Sequence, residues 1–114
     1  DEILEYQKKI ERIYMDEKIL QYIVRLVQSS RKTKEVLGAQ WLDLGGSPRA
    51  SIALFRGSRA KAFLEGRSYV IPQDVVAIAR DVLEHRIITS VESEVQELKP
   101  RDIIHKLLDQ VPQP

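Results

Sequence analysis

Residues 45–66, GGSPRASIALFRGSRAKAFLEG, pass from a glycine pair directly into a helix. Ser47 before Pro48 is a strong start signal, because serine can cap free backbone N–H groups and proline is pre-set in φ for the first helical position. The predicted helix runs to about Leu64 and is ended by Gly66. Ala50, Ala53, Gly57 and Ala60 give it a small-residue face that permits close approach of a neighbour, while Ile52, Phe55, Ala62 and Phe63 supply bulk. A helix built this way packs against other helices, which the rest of the chain must supply.

Upstream, residues 33 to 46 lose the helical period and hold Gly38, Gly45 and Gly46. The segment is long for a compact domain, and a short helical turn that tucks Trp41 against the bundle would account for it. Before it, Asp16 is a plausible N-cap for a helix whose Ile19, Leu20, Ile23, Val24 and Val27 form a single stripe, ending near Arg31. Residues 1 to 13 place Ile3, Leu4, Ile10 and Ile13 among many charges, which reads as a connector helix.

Downstream, Tyr69 and Val70 read as a short extended link, and Pro72 with Asp74 starts a helix carrying Val75, Ile78, Ala79 and Val82. His85 and Arg86 suit its negative C-terminal end. Ile87 and Ile88 are expected to be extended, with 91–99 pairing back on them as a small hairpin. A final helix after Pro100 presents Ile103, Ile104, Leu107, Leu108 and Val111. The fold class expected is therefore all-α, a small bundle of four to five helices with short extended segments near 69–70 and 87–95.

The 114 residues fit one domain, with 18 Lys and Arg against 17 Asp and Glu for a net charge of +1. No global field draws such a chain to nucleic acid or to anionic membrane. Cysteine is absent, which removes thiolate metal sites and thiol nucleophiles. His85 and His105 lie apart and outside any ligand pattern, so no metal site is expected. A phosphate-binding loop is missing too, since Lys32-Thr33 follows Arg31 where that motif needs glycine. No apolar run approaches the length of a membrane span.

Arg49 is the residue that invites chemistry. It stands in the first turn of a helix, where free N–H groups already carry partial positive charge and a cation is misplaced by about 0.3–1 kcal/mol. An anion at the same spot would reverse that penalty, since helix N-termini bind phosphate and a guanidinium adds a directional contact. A solvated arginine that tolerates the dipole is the bland alternative. Arg56, Arg59, Lys61 and Arg67 extend a basic edge, and an independent helical protein-interaction or nucleic-acid-binding module using Arg56 and Arg59 is the competing function. Phe55 and Phe63 read as core rather than as base-stacking residues.

The ordered set Gly46-Ser47-Pro48-Arg49-Ala50-Ser51, Arg59-Ala60, Tyr69-Val70, Pro72 and Asp74-Val75 resembles the C-terminal lid domain of MoxR-type AAA+ ATPases. Tyr22 to Val27 resembles that family's first lid helix, Asp81 to Arg86 its helix exit, and Val111-Pro112 its ending. The resemblance implies residues 1–15 as a connector from a nucleotide-binding domain outside this sequence, and 16–114 as the lid. It implies ATP and Mg2+ as cofactors of the full-length protein, with none bound by the fragment alone. Arg49 would be the sensor-two arginine that reaches the γ-phosphate, Ser47 and Gly46 would line the nucleotide site, and Tyr22 and Ile23 would pack beside the adenine. A cytoplasmic homo-oligomeric ring, usually a hexamer, that remodels or matures other protein complexes is also implied. The resemblance carries no role in nucleic-acid binding. Two features depart from the family pattern: Ile71 stands where a hydroxyl residue commonly precedes the proline, and the loop from Thr33 to Gly45 is longer than its shortest versions.

Overall fold

The computed structural model describes all 114 residues. The helix α1 (Glu2–Glu11) is followed by α2 (Glu17–Ser30), the short α3 (Thr33–Leu37) and the strand β1 (Leu42–Leu44). Then come α4 (Pro48–Leu64), α5 (Pro72–Glu84), the strand β2 (Ile88–Thr89), the short α6 (Val91–Val95) and α7 (Pro100–Gln110). The expected all-α bundle is present, with five long helices and two of five residues each. No helix is long and apolar enough to cross a membrane.

Capping chemistry explains most of the helix bounds. The Asp16 side chain accepts from the Lys18 N–H at 3.0 Å and opens α2. At α5 the missing hydroxyl is replaced by Asp74, whose carboxylate reaches back to the Ile71 N–H at 2.9 Å. Asp102 does the same for the Lys99 N–H at the start of α7, also at 2.9 Å. Both helices thus begin with proline at the first position and a carboxylate two residues later, which satisfies the preceding N–H and complements the helix dipole. Asp74 is almost wholly buried and is also paired with the Arg67 guanidinium, so its charge has two partners.

The long α4 sits centrally, flanked by α1, α2 and α5, and α7 closes the bundle against α2 and α5. Its buried positions are Ala50, Leu54, Ser58 and Ala62. Gly57 lets α5 approach closely, since a Cβ there would lie 2.5 Å from Ile78 Cδ1. Ile52, expected to supply bulk, is about half exposed at 48 %. The buried face of α2 is also rotated from expectation: Ile19, Tyr22, Ile23, Leu26, Val27 and Ser30 point inward, while Val24 is exposed and Leu20 lies at the margin. The stripe of residues at 19, 20, 23, 24 and 27 spans two adjacent faces, and periodicity alone does not say which one meets α4.

The extended segments find unexpected partners. Tyr69 forms a parallel bridge with Tyr14, with Val70 donating to the Tyr14 carbonyl at 2.8 Å. This ties the end of α1 to the α4–α5 link, and Ile13 and Met15 beside it belong to the core. The expected hairpin between 87–88 and 91–99 does not form. Instead β2 pairs antiparallel with β1, Leu42 opposite Thr89 and Leu44 opposite Ile88. Ser90 explains the difference: its hydroxyl accepts the Ser93 N–H at 3.1 Å and starts α6, while also donating to the Gln40 carbonyl at 2.6 Å. Glu92 and Glu94 at the N-terminal end of α6 favour the same helix start. Trp41 tucks in as expected, partly buried against the core, with its backbone N–H donating to Thr33 Oγ1 at 3.1 Å.

Candidate functional site

The turn from β1 into α4 is built on the C-terminal end of α2. Gly45 packs backbone to backbone on Ser30 and Arg31, and a Cβ there would overlap the Ser30 carbonyl and sit 2.7 Å from the Arg31 nitrogen. Gly45→Ala is therefore expected to destabilise the domain by about 1–3 kcal/mol, as overpacking does, read as a lowered denaturation midpoint. A midpoint equal to wild type would show that the turn has room to shift.

Gly46 is buried and both of its backbone groups are taken. Its N–H donates to Ser30 Oγ at 2.8 Å, and its carbonyl accepts from Arg31 Nε at 2.6 Å. Gly46, expected to line a nucleotide site, therefore has its backbone donor taken by an internal partner. Ser47 follows in extended conformation as the N-cap residue, but its side chain makes no capping hydrogen bond. Its carbonyl accepts the Ala50 N–H at 2.9 Å, and the hydroxyl stays exposed. The cap expected of Ser47 is thus absent, and the hydroxyl is left free beside Arg49.

Arg49 itself is exposed and takes part in none of the three ion pairs, which join Lys61 to Glu65, Arg67 to Asp74 and Arg101 to Glu84. All six other helices carry at least one acid in the first turn, and α4 carries none. The longest helix of the domain therefore presents an uncompensated positive end with a free guanidinium on it. What this arrangement can do chemically is hold an oxyanion brought to it from outside.

The basic edge does not continue from there. Arg59 Nε donates to the Ile13 carbonyl at 3.1 Å, Lys61 pairs with Glu65 at 2.9 Å, and Arg67 is committed to Asp74. Of the edge's four cations, only Arg56 is left without an internal partner, in the groove it shares with Gln7, Ile10 and Glu11 of α1. The commitment of these cations to internal partners removes the continuous stripe that nucleic-acid binding would need.

Tyr22 and Ile23, expected beside the adenine, lie in the core of this domain with no exposed surface. The inward direction of Tyr22 results from the rotated face of α2, whereas Ile23 lies inward as its stripe expects. The Tyr22 hydroxyl has no hydrogen-bond partner, and burial pushes its pKa above the ordinary 10.0 while the nearby Arg25 charge opposes that shift. Above pH 10.0 the unfolded chain loses this proton while the folded one keeps it, so Tyr22's share of stability falls as pH rises. Tyr22→Phe is expected to stabilise the fold by about 1 kcal/mol at neutral pH and to reduce its alkaline sensitivity, both read by denaturant titration. A loss of stability instead would mean that the phenol has a partner in solution.

Ser30 and Arg31 are the site residues that sequence reasoning missed. Ser30 is separated by 16 residues from the N–H it binds, and Arg31 by 15 from its carbonyl, so no local pattern marks either.

Residues 34–107 match the family model for the AAA lid domain. The chain is 33 % identical to chaperone MoxR1 of Mycobacterium tuberculosis, over 99 % of its own length and 31 % of the relative's. It is 35 % identical to protein MoxR of Methylorubrum extorquens over 61 % of the chain and 21 % of that protein. A crystal structure from Cytophaga hutchinsonii, described as an ATPase, superposes with a TM-score of 0.92 at 35 % identity, covering 98 % of this chain and 35 % of the other. The chain thus spans about a third of the length of its MoxR1 relative.

Proposed function

Because this chain belongs to the AAA lid domain family and is of the MoxR type, we propose that it closes over ATP held by a nucleotide-binding domain of a longer ATPase, with Arg49 directed at the γ-phosphate. The observation that carries this reading is the unpaired, exposed guanidinium at an N-terminus with no acid in its first turn. ATP supplies the phosphoryl group, and Mg2+ would be held by the nucleotide-binding domain, since α4 brings no first-turn carboxylate to this end. Arg49 would then donate to a terminal phosphoryl oxygen and stabilise charge that grows during transfer. The free hydroxyl of Ser47 stands two residues away as a secondary donor. Loss of the phosphate removes the anion that offsets the repulsion between Arg49 and the helix dipole, which favours lid movement.

Residues 1–15, with the exposed α1, serve as the connector to that domain, and 16–114 as the lid. The longer protein acts as a cytoplasmic ring, a hexamer by family resemblance, that remodels or matures other protein complexes. The test compares ATP turnover of the complete ATPase with that of its Arg49→Ala variant, and retained turnover would remove Arg49 from the site.

A further inference from the structure

We propose that Ser30 and Arg31 are positioning residues, which together clamp Gly46 and thereby aim Arg49; the proposal rests on the phosphate-sensing reading of Arg49. Gly46 is held at both backbone groups by consecutive residues at the end of α2, the Ser30 hydroxyl at its N–H and the Arg31 Nε at its carbonyl. The Ser30 hydroxyl also donates to the Val27 carbonyl at 2.5 Å, so it acts as a relay between the last turn of α2 and the turn that opens α4. A hydroxyl can accept on one side and donate on the other through a single oxygen, which an alanine side chain cannot do.

The geometry transmits the clamp to Arg49. Ser47 is extended and Pro48 is locked in φ by its ring, so little torsional freedom separates Gly46 from the first helical turn. A Cβ on Gly46 would touch Ala50 Cβ at 3.2 Å and Val27 Cγ1 at 3.3 Å, a measure of how tightly this turn is pressed between α2 and α4. Arg31 is exposed and has no acidic partner, yet its Nε is spent on a backbone carbonyl fifteen residues away. An exposed arginine gives little to core stability, whereas a fixed Gly46 carbonyl orients Ser47, Pro48 and the first turn of α4. Misplacement of a reacting partner by about 1 Å can lower a rate by as much as 10²-fold, so loss of the clamp is felt at Arg49 before it is felt in the fold.

The experiment measures ATP turnover in the complete ATPase for Ser30→Ala, Ser30→Thr and Arg31→Met, each alone and with Arg49→Ala. Ser30→Ala is expected to lower kcat about tenfold with KM for ATP changed less than about twofold, and Arg31→Met about threefold to fivefold. Ser30→Thr, which keeps the hydroxyl, should recover most of the loss. On the Arg49→Ala background the clamp substitutions should lower turnover by less than about twofold further, because they act through the missing side chain. Losses that multiply on that background, or full turnover in both clamp variants, would overturn the proposal. Arg31→Met changes only an exposed side chain and keeps the test open if Ser30→Ala does not fold. Unchanged turnover in Arg49→Ala alone would defeat the underlying reading, whereas a loss there with none in the clamp variants would defeat the clamp only.

Discussion

Arg49→Ala is expected to lower ATP turnover of the complete ATPase by well over tenfold while leaving the lid as stable as before. The two halves of this result have separate causes. Arg49 is exposed and has no internal partner, so its removal leaves no orphaned group and no cavity. It also relieves a cation from the positive end of α4, an effect of about 0.3–1 kcal/mol in favour of the fold. Turnover responds to the transition state instead, where one preorganised donor is typically worth about 10²–10³ in rate. Arg49→Lys should recover only part of the activity, because an ammonium keeps the charge but loses the planar fork. Steady-state hydrolysis and a thermal melt on the same preparations decide the matter. Lost activity accompanied by a lowered melting temperature would mean that Arg49 serves the fold, and wild-type turnover would mean that it serves nothing in hydrolysis.

Ile23→Asp is expected to abolish folding of the 114-residue chain, whereas Val24→Asp, one position along, should change stability by less than about 0.5 kcal/mol. Ile23 is wholly inside the bundle and Val24 is 38 % exposed. A lone carboxylate at the first position has neither water nor a cation beside it, and the several kcal/mol that such burial costs is comparable with a whole domain stability of about 5–15 kcal/mol. At the second position the same carboxylate remains hydrated. Circular dichroism of the two variants gives the contrast directly. Equal folding of both would mean that the face of α2 turned toward α4 has been misassigned.

That contrast also marks where the sequence stops being legible. The stripe at 19, 20, 23, 24 and 27 announces a helix with one apolar side, but Leu20 and Val24 lie on the wrong edge of it and Tyr22 and Leu26 on the right one. The same limit appears at the ribbon, where β1 and β2 are three and two residues long and pair across more than forty positions. Strands so short carry no alternation to read, and Ser90 looks like a loop residue until its hydroxyl is seen capping α6. Arg59 and Arg67 looked like members of a basic edge because their acceptors, the Ile13 carbonyl and the Asp74 carboxylate, are set by packing.

What the chain's sequence determined unaided is the punctuation of the bundle and the anomaly at its centre: helices opened by Asp16, Pro48, Pro72 and Pro100, and a cation where a helix dipole disfavours one. These are effects that act within about one helical turn, so the residues that cause them are neighbours in sequence. Only the tertiary structure decided that Tyr22 and Leu26 belong to the core, that Gly46 is spent on Ser30 and Arg31, and that Arg49 alone in this turn keeps a free guanidinium. Each of those outcomes depends on which helix faces meet, and packing between distant segments settles that, where no local spacing can record it.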